Sequence, residues 1–164
     1  MLINIIGFNL SWFGLVYLGN TFIPIALVFF VTHLLTISEL KSEALLILTI
    51  AAIGISVDSF LQWNNFFIFP ESNHIPFWLM VLWVCFSTTI SHSLHFLADS
   101  KKLQIVVGAI FAPLSYLAAV KLNAVQLGQS VTQTYAVLSF IWALLFIVFF
   151  YLKSKFFITK VSHV

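Results

Sequence analysis

Six long apolar runs, divided by short polar connections, constrain this chain more than any motif in it. One bilayer crossing uses about 20 apolar residues. The 164 residues therefore accommodate about six crossings, and no soluble domain fits in what remains. The runs are far longer than strands and do not alternate, so strands are not expected. No segment shows the wide polar face that a helix of a soluble bundle needs. Composition agrees: 62% of residues are hydrophobic and 7% are charged, with a mean hydropathy of +1.10. A soluble domain carries roughly 25% charged residues to cover its water-facing surface.

The reading is thus an all-α polytopic membrane protein, a single domain over residues 1–164 with six transmembrane helices and short loops. Helix 1 is expected from about Leu2 to Leu18, with Gly19-Asn20 turning into helix 2 at about Thr21 to Ile37. Pro24 falls in the first turn of helix 2, where its missing N–H costs little. The stretch SELKSE (38–43) reads as an aqueous loop, followed by helix 3 from about Ala44 to Phe69. The loop PESNHIP (70–76) precedes helix 4, about Phe77 to Ala98. Helices 5 and 6 follow at about Leu103 to Asn123 and Val131 to Leu152. The opening residues lack a basic n-region and a small-residue cleavage site, and read as a retained helix rather than a signal peptide.

Lysines set the orientation. With six helices, Lys41, Lys101, Lys102, Lys153, Lys155 and Lys160 share one side with both termini, and only Lys121 lies near the other. The positive-inside rule then puts both termini in the cytoplasm. A net charge of +2 from seven lysines and no arginine is too weak and dispersed for nucleic acid, so membrane lipids are the expected partners. The single cysteine, Cys85, lies inside an apolar run, which excludes a disulfide framework.

In hydrocarbon a polar side chain is informative because it is costly: a central Asp costs about 2.5 to 3.5 kcal/mol. Asp58 is the one acid deep in an apolar run. Asp58, Gln62 and Asn65 follow i, i+4, i+7 spacing on one helical face, and Gly54 extends that face with room for a neighbouring helix. Such a stripe must face the bundle or a wet cavity. A structural Asp bonded to hydroxyls of helix 4 is one reading; a functional acid, proton carrier or ligand is the other, favoured for intramembrane ionisable groups.

A second stripe, Thr88, His92, His95 and Asp99, is expected on helix 4, with His33 of helix 2 at similar depth. The i, i+3 histidine pair places two ring nitrogens on one face, as a metal would require. Such pairs are common by chance and no glutamate joins this one, so no metal ligand is assigned and the cofactor stays unspecified. Histidines bonded to carbonyls or water are the bland alternative to a general acid or base. Asp58 and His92 differ in expected depth by around 12 Å at about 1.5 Å per residue, which predicts a polar track through Thr88 and Ser91 and not a dyad.

On helix 5, Gly108, Ala112, Ser115 and Ala119 make a small-residue face, and Pro113 frees the carbonyl of Ala109. Asp58, His92 and His95 are the candidate catalytic residues; Asn9, Gln62, Thr88, Ser115 and Tyr116 are candidates for lining a polar cavity. No nucleophile-elbow, H-E-x-x-H, Walker or Rossmann pattern is present.

Four stretches, IIGFNLSWFGLVYLG, GISVDSFLQW, IPFWLMVLWVCFSTTISHSLHFL and GAIFAPLSYLAAVKLNAV, together resemble a family of small bacterial inner-membrane proteins known only as a domain of unknown function. They cover most of the chain in order. The resemblance implies a multi-pass, single-domain protein of the bacterial inner (cytoplasmic) membrane, and supplies no activity and no functional residues. Ala112-Pro113 stands where such families usually have Gly-Pro, a departure that keeps the proline. The functional expectation is an intramembrane enzyme or accessory protein acting on lipid or lipid-linked substrates. A small proton-coupled transporter subunit, which would need a homo-oligomer to enclose a path, and a non-catalytic scaffold are the alternatives.

Overall fold

The computed structural model describes residues 2–70 and 72–158. Six α-helices follow in order: α1 (Leu2–Leu18), α2 (Ile23–Leu34), α3 (Leu40–Trp63), α4 (Phe77–Ser91), α5 (Lys101–Lys121) and α6 (Val131–Ile158). Four stretches are long and apolar enough to cross a membrane: Leu2–Leu34, Leu40–Trp63, Lys101–Lys121 and Val131–Phe157. The fold is that of an all-α membrane protein, with large apolar side chains such as Phe13, Leu48, Phe111 and Phe140 exposed along its flanks.

The first of these stretches folds back on itself. Gly19, at φ +60, and a turn of 3₁₀ helix (Gly19–Phe22) reverse the chain, and Gly14 lies so close to the Phe22 ring that a Cβ there would overlap it. The carboxamide oxygen of Asn20 at this bend accepts from the Trp78 backbone N–H, one of the donors that open α4.

Between α3 and α4 the chain departs from expectation. Helix 3 ends at Trp63 rather than near Phe69, because Asn65 takes a left-handed conformation at φ 57. Residues Phe67–Ile68 (β1) then pair antiparallel with Gln126–Leu127 (β2), with Phe67 opposite Leu127. This two-residue ladder corrects the expectation of no strands, and it buries Phe67 against the bundle. Asn65 is therefore not the third member of a helical stripe.

Helix α4 also stops early. The expected span to Ala98 ends at Ser91, and His92 takes φ −115, ψ −81. Ser87, Thr88 and Thr89 each donate a hydroxyl to a carbonyl of the preceding turn, those of Trp83, Cys85 and Phe86, which competes with helix continuation. Side chains of three other helices fasten this end. Asn4 of α1 donates to Thr88 Oγ1 at 2.8 Å and accepts from Ser93 Oγ at 2.6 Å, bridging the break. Lys153 of α6 donates to the Ile90 carbonyl, and Gln104 of α5 donates to those of Leu97 and Ala98. The stripe of Thr88, His92, His95 and Asp99 on one helical face does not form, since the last three residues lie beyond the helix end.

Aromatic rings fill the centre. Trp83 stacks on Trp142 at 5.2 Å and 8°, and Phe86 meets Phe8, Trp83, Trp142, Phe146 and Phe149. Gly108 brings α5 against α6, where an added Cβ would stand 2.6 Å from the Trp142 carbonyl oxygen.

Candidate functional site

Two polar centres lie inside the bundle, at different levels of α3. The buried side of that helix carries Glu43, Leu46, Ile47, Ile50, Ala51, Gly54, Asp58 and Leu61, a 3.6-residue rhythm with an acid near each end. Fifteen residues separate the two acids, about 22 Å at 1.5 Å per residue.

The first centre is Asp58, with no exposed surface. Its Oδ2 accepts from Trp83 Nε1 at 2.7 Å, and its Oδ1 accepts from the Tyr116 hydroxyl at 2.8 Å. Both donors are held by stacking, Trp83 on Trp142 and Tyr116 on Phe67 at 5.0 Å and 5°. Gly54, one turn before Asp58, makes the indole's position available: a Cβ on it would overlap the six-membered ring of Trp83. The partners are therefore an indole and a phenol, not the helix-4 hydroxyls considered in the structural reading of this acid.

Trp83 and Tyr116 also form part of the wall of a cavity of about 520 Å³. Its floor comes from α4 and α6, including Leu79, Leu82, Phe86, Trp142 and Phe146. Its sides are α1 and α5, where the lining residues Asn9, Phe111 and Leu114 are exposed. Ser115 lines it as well, with its hydroxyl donated to the Ala112 carbonyl, and Asn9 donates to the Ile5 carbonyl of its own helix. Among the described residues, Tyr116 is the one ordinarily titratable side chain on the wall, and its hydroxyl donates away from the cavity, to Asp58.

Two expected lining residues lie elsewhere. Gln62 reaches the Ser72 carbonyl at 3.4 Å, in the loop that follows the early end of α3. Thr88 faces α1 and lines a small cleft with Asn4, Ser11 and His33.

The second centre joins the ends of α2, α3 and α4. His92 Nε2 stands 3.3 Å from Glu43 Oε1, and the His92 ring meets that of His33 edge to face with centroids 4.5 Å apart. One ligand atom from each of His33, Glu43 and His92 lies within 4.8 Å of the other two. Glu43 corrects the sequence reading twice: it sits in the first turn of α3, 1% exposed, not in an aqueous loop, and it is the glutamate the histidines lacked. Extending the Asp58–Gly54 rhythm back along α3 would have placed it on the inward face. His95 takes no part; it is exposed in a 3₁₀ turn, with Nδ1 2.6 Å from Lys153 Nζ. Asp99 is exposed. Asp58 and His92, with no partner in common, belong to separate centres.

A family described as protein of unknown function (DUF2878) matches residues 1–148. The chain belongs to that family. The match spans α1 to α5 and most of α6, and takes in both polar centres and every residue on the cavity wall. It meets the expected resemblance to a domain of unknown function and brings no activity with it. No curated protein and no solved structure matches the chain.

Proposed function

We propose that this is a six-crossing protein of the bacterial cytoplasmic membrane that holds the hydrocarbon portion of a lipid or lipid-linked molecule in the cavity between α1 and α5. The observation that carries this reading is the cavity itself: about 520 Å³, walled by aromatic and aliphatic side chains, with exposed apolar residues at its sides. Pockets of roughly 300 to 1,000 Å³ with apolar walls and few polar groups suit apolar ligands. A soluble ligand would have to cross lipid-facing surface to reach it, whereas an acyl or isoprenoid chain arrives through the bilayer. Asn9, Ser115 and the Tyr116 ring are the polar features that would orient such a guest.

Asp58 acts in this reading from behind the wall. It fixes the Tyr116 phenol and the Trp83 indole, so it is a positioning residue for the cavity surface. Among the described residues the wall carries no charged side chain, which favours binding over acid–base chemistry at this point. His92 and His95 lie beyond the end of α4, so any catalytic part they take would act on a group held near that end. The topology is supported by the lysines: Lys41, Lys101, Lys153 and Lys155 lie in the first or last two turns of α3, α5 and α6, whose residues Glu43, Gln104 and Lys153 all reach the end of α4, while Lys121 is at the opposite end of α5. Helices α2, 12 residues or about 18 Å, and α4, 15 residues or about 22 Å, are shorter than a hydrocarbon core of about 30 Å, so six crossings need the turns at their ends to lie at membrane depth as well.

The test is photo-crosslinking in nanodiscs doped with a phospholipid carrying a diazirine in its acyl chain. Adducts concentrated at Phe111, Ala112 and Ser115, and reduced several-fold by Ala112→Phe, are expected. Adducts spread evenly over outward residues such as Phe13, Leu48 and Phe140, indifferent to Ala112→Phe, would overturn the reading.

A further inference from the structure

We infer that His33, Glu43 and His92 form a binding site for a divalent transition-metal ion. Three independent features point there. First, His33 Nε2, Glu43 Oε1 and His92 Nε2 are buried atoms without a hydrogen-bond partner among the described residues. They account for three of the six side-chain atoms in that condition, and the three residues converge within 4.8 Å. Leaving one such group unsatisfied costs about 1 to 3 kcal/mol, so three together are expected only where something else satisfies them.

Second, the spacing suits ligands on a common ion better than an ion pair. A charge-assisted N–H···O bond closes to about 2.7 to 2.9 Å. The observed 3.3 Å between His92 Nε2 and Glu43 Oε1 matches the edge of a tetrahedron with about 2.0 to 2.1 Å metal–ligand bonds, about 3.3 to 3.4 Å. The His33 and His92 rings, with centroids 4.5 Å apart, bring two imidazole nitrogens, of the ligand type that zinc and iron take, beside the one carboxylate.

Third, the surroundings favour a cation. His33 is in the last turn of α2 and His92 is the first residue past α4, where the helix dipoles place partial negative charge. Lys153 gives its ammonium to the Ile90 carbonyl and to His95, and Glu43 Oε1 is left without a hydrogen bond among the described residues. The His92 side chain is 29% exposed while Glu43 is 1% exposed, so the site has a door and a buried anchor.

Two imidazoles and one carboxylate leave at least one coordination position open, the pattern of sites that act on water or a substrate rather than purely structural ones. The ligand set suits zinc or ferrous iron, and excludes the hard, all-oxygen preference of calcium or magnesium.

The test is Co²⁺ and Zn²⁺ binding to the full chain in detergent. One Co²⁺ per chain with visible d–d absorption is expected, displaced by Zn²⁺. Glu43→Gln and His33→Gln should each weaken Co²⁺ binding by about a hundredfold or more, while His74→Ala, in an exposed loop, should bind as the unaltered chain does. Binding unchanged in both site variants, or no binding by the unaltered chain, would overturn the site. Should the variants fail to fold, X-ray absorption of the Zn²⁺-loaded unaltered chain decides: two imidazole nitrogens with oxygen support it, and a sulfur or all-oxygen shell refutes it.

Discussion

Trp83 donates its indole proton to Asp58 at 2.7 Å from a ring that covers Gly54, the residue one turn earlier on the same helix. Glycine and acid thus act as a pair: one admits the ring, the other receives its N–H. The arrangement ties α3 to α4 through a single buried side chain, and Tyr116 ties in α5 from the other carboxylate oxygen.

Replacing Asp58 tests how much that acid holds. Asn at this position retains one carbonyl oxygen for two convergent donors, so one contact is lost. A cost of about 1 to 3 kcal/mol is expected for Asp58→Asn, and about 3 to 5 kcal/mol for Asp58→Leu, which strands both donors. Tyr116→Phe should cost about 1 kcal/mol. The pair Asp58→Asn and Tyr116→Phe should be non-additive by about 0.5 to 3 kcal/mol, read from denaturation in detergent. Additive losses would mean that the phenol and carboxylate do not interact.

Gly54→Ala sets two effects against each other. Alanine is better than glycine in a helix by about 1 kcal/mol. The new methyl meets the Trp83 ring, which cannot retreat because Trp142 is stacked on its far side at 5.2 Å. Overpacking costs about 1 to 3 kcal/mol, so a net loss is expected, with a shifted Trp83 resonance in fluorotryptophan NMR. A stabilised variant with an unmoved resonance would contradict the close approach.

Lys153→Met keeps most of the stem and removes the donor to the Ile90 carbonyl. Because this carbonyl lies at the interrupted end of α4, a loss of about 1 to 3 kcal/mol is expected. Lys41→Met, at an exposed position, should stay within about 0.5 kcal/mol. Equal effects of the two changes, in thermal unfolding, would show that the α4 end does not depend on this lysine.

Metal addition should raise the melting temperature of the unaltered chain. At a free concentration a hundredfold above Kd, binding to the folded state contributes about 2.7 kcal/mol, a shift of several degrees for a domain of this size. Glu43→Gln, with binding weakened a hundredfold or more, should gain no more than about 0.4 kcal/mol at the same concentration. A shift of the same size in the variant would place the ion elsewhere.

Helix positions were legible in the sequence wherever hydrophobicity alone decides them. Helix 1 is found over Leu2–Leu18 as expected, and the starts of α4 and α6 at Phe77 and Val131 agree with the reading. What hydropathy could not convey is where a backbone stops being helical while its side chains stay apolar. Ser87, Thr88 and Thr89 look like tolerable polar residues in a crossing, yet their back-bonds end α4 and move His92, His95 and Asp99 off its face. Asn65 in a left-handed turn did the same to the Asp58 stripe.

The site residues divide along the same line. Asp58 and Gly54 were readable because they share a face inside one long helix. Tyr116 was readable as a phenol in need of a partner, although the partner itself was not. Glu43 escaped because its neighbours Glu39, Lys41 and Ser42 look aqueous, and only the period of the rest of α3 points it inward. Asn4, which bridges Thr88 to Ser93, resembles any polar residue near a chain start until α4 is seen to break beside it.

The early end of α4 has a consequence for how this family can vary. Asn4, Gln104 and Lys153 sit on three different helices, yet all three fasten the same interruption: Gln104 and Lys153 through its backbone carbonyls, Asn4 through the hydroxyls of Thr88 and Ser93 on either side of it. None of the three can be exchanged freely while the interruption persists, and all three lose their task if α4 runs on. Relatives are therefore expected to change these positions together, as a linked set, with the length of α4 as the variable that governs them.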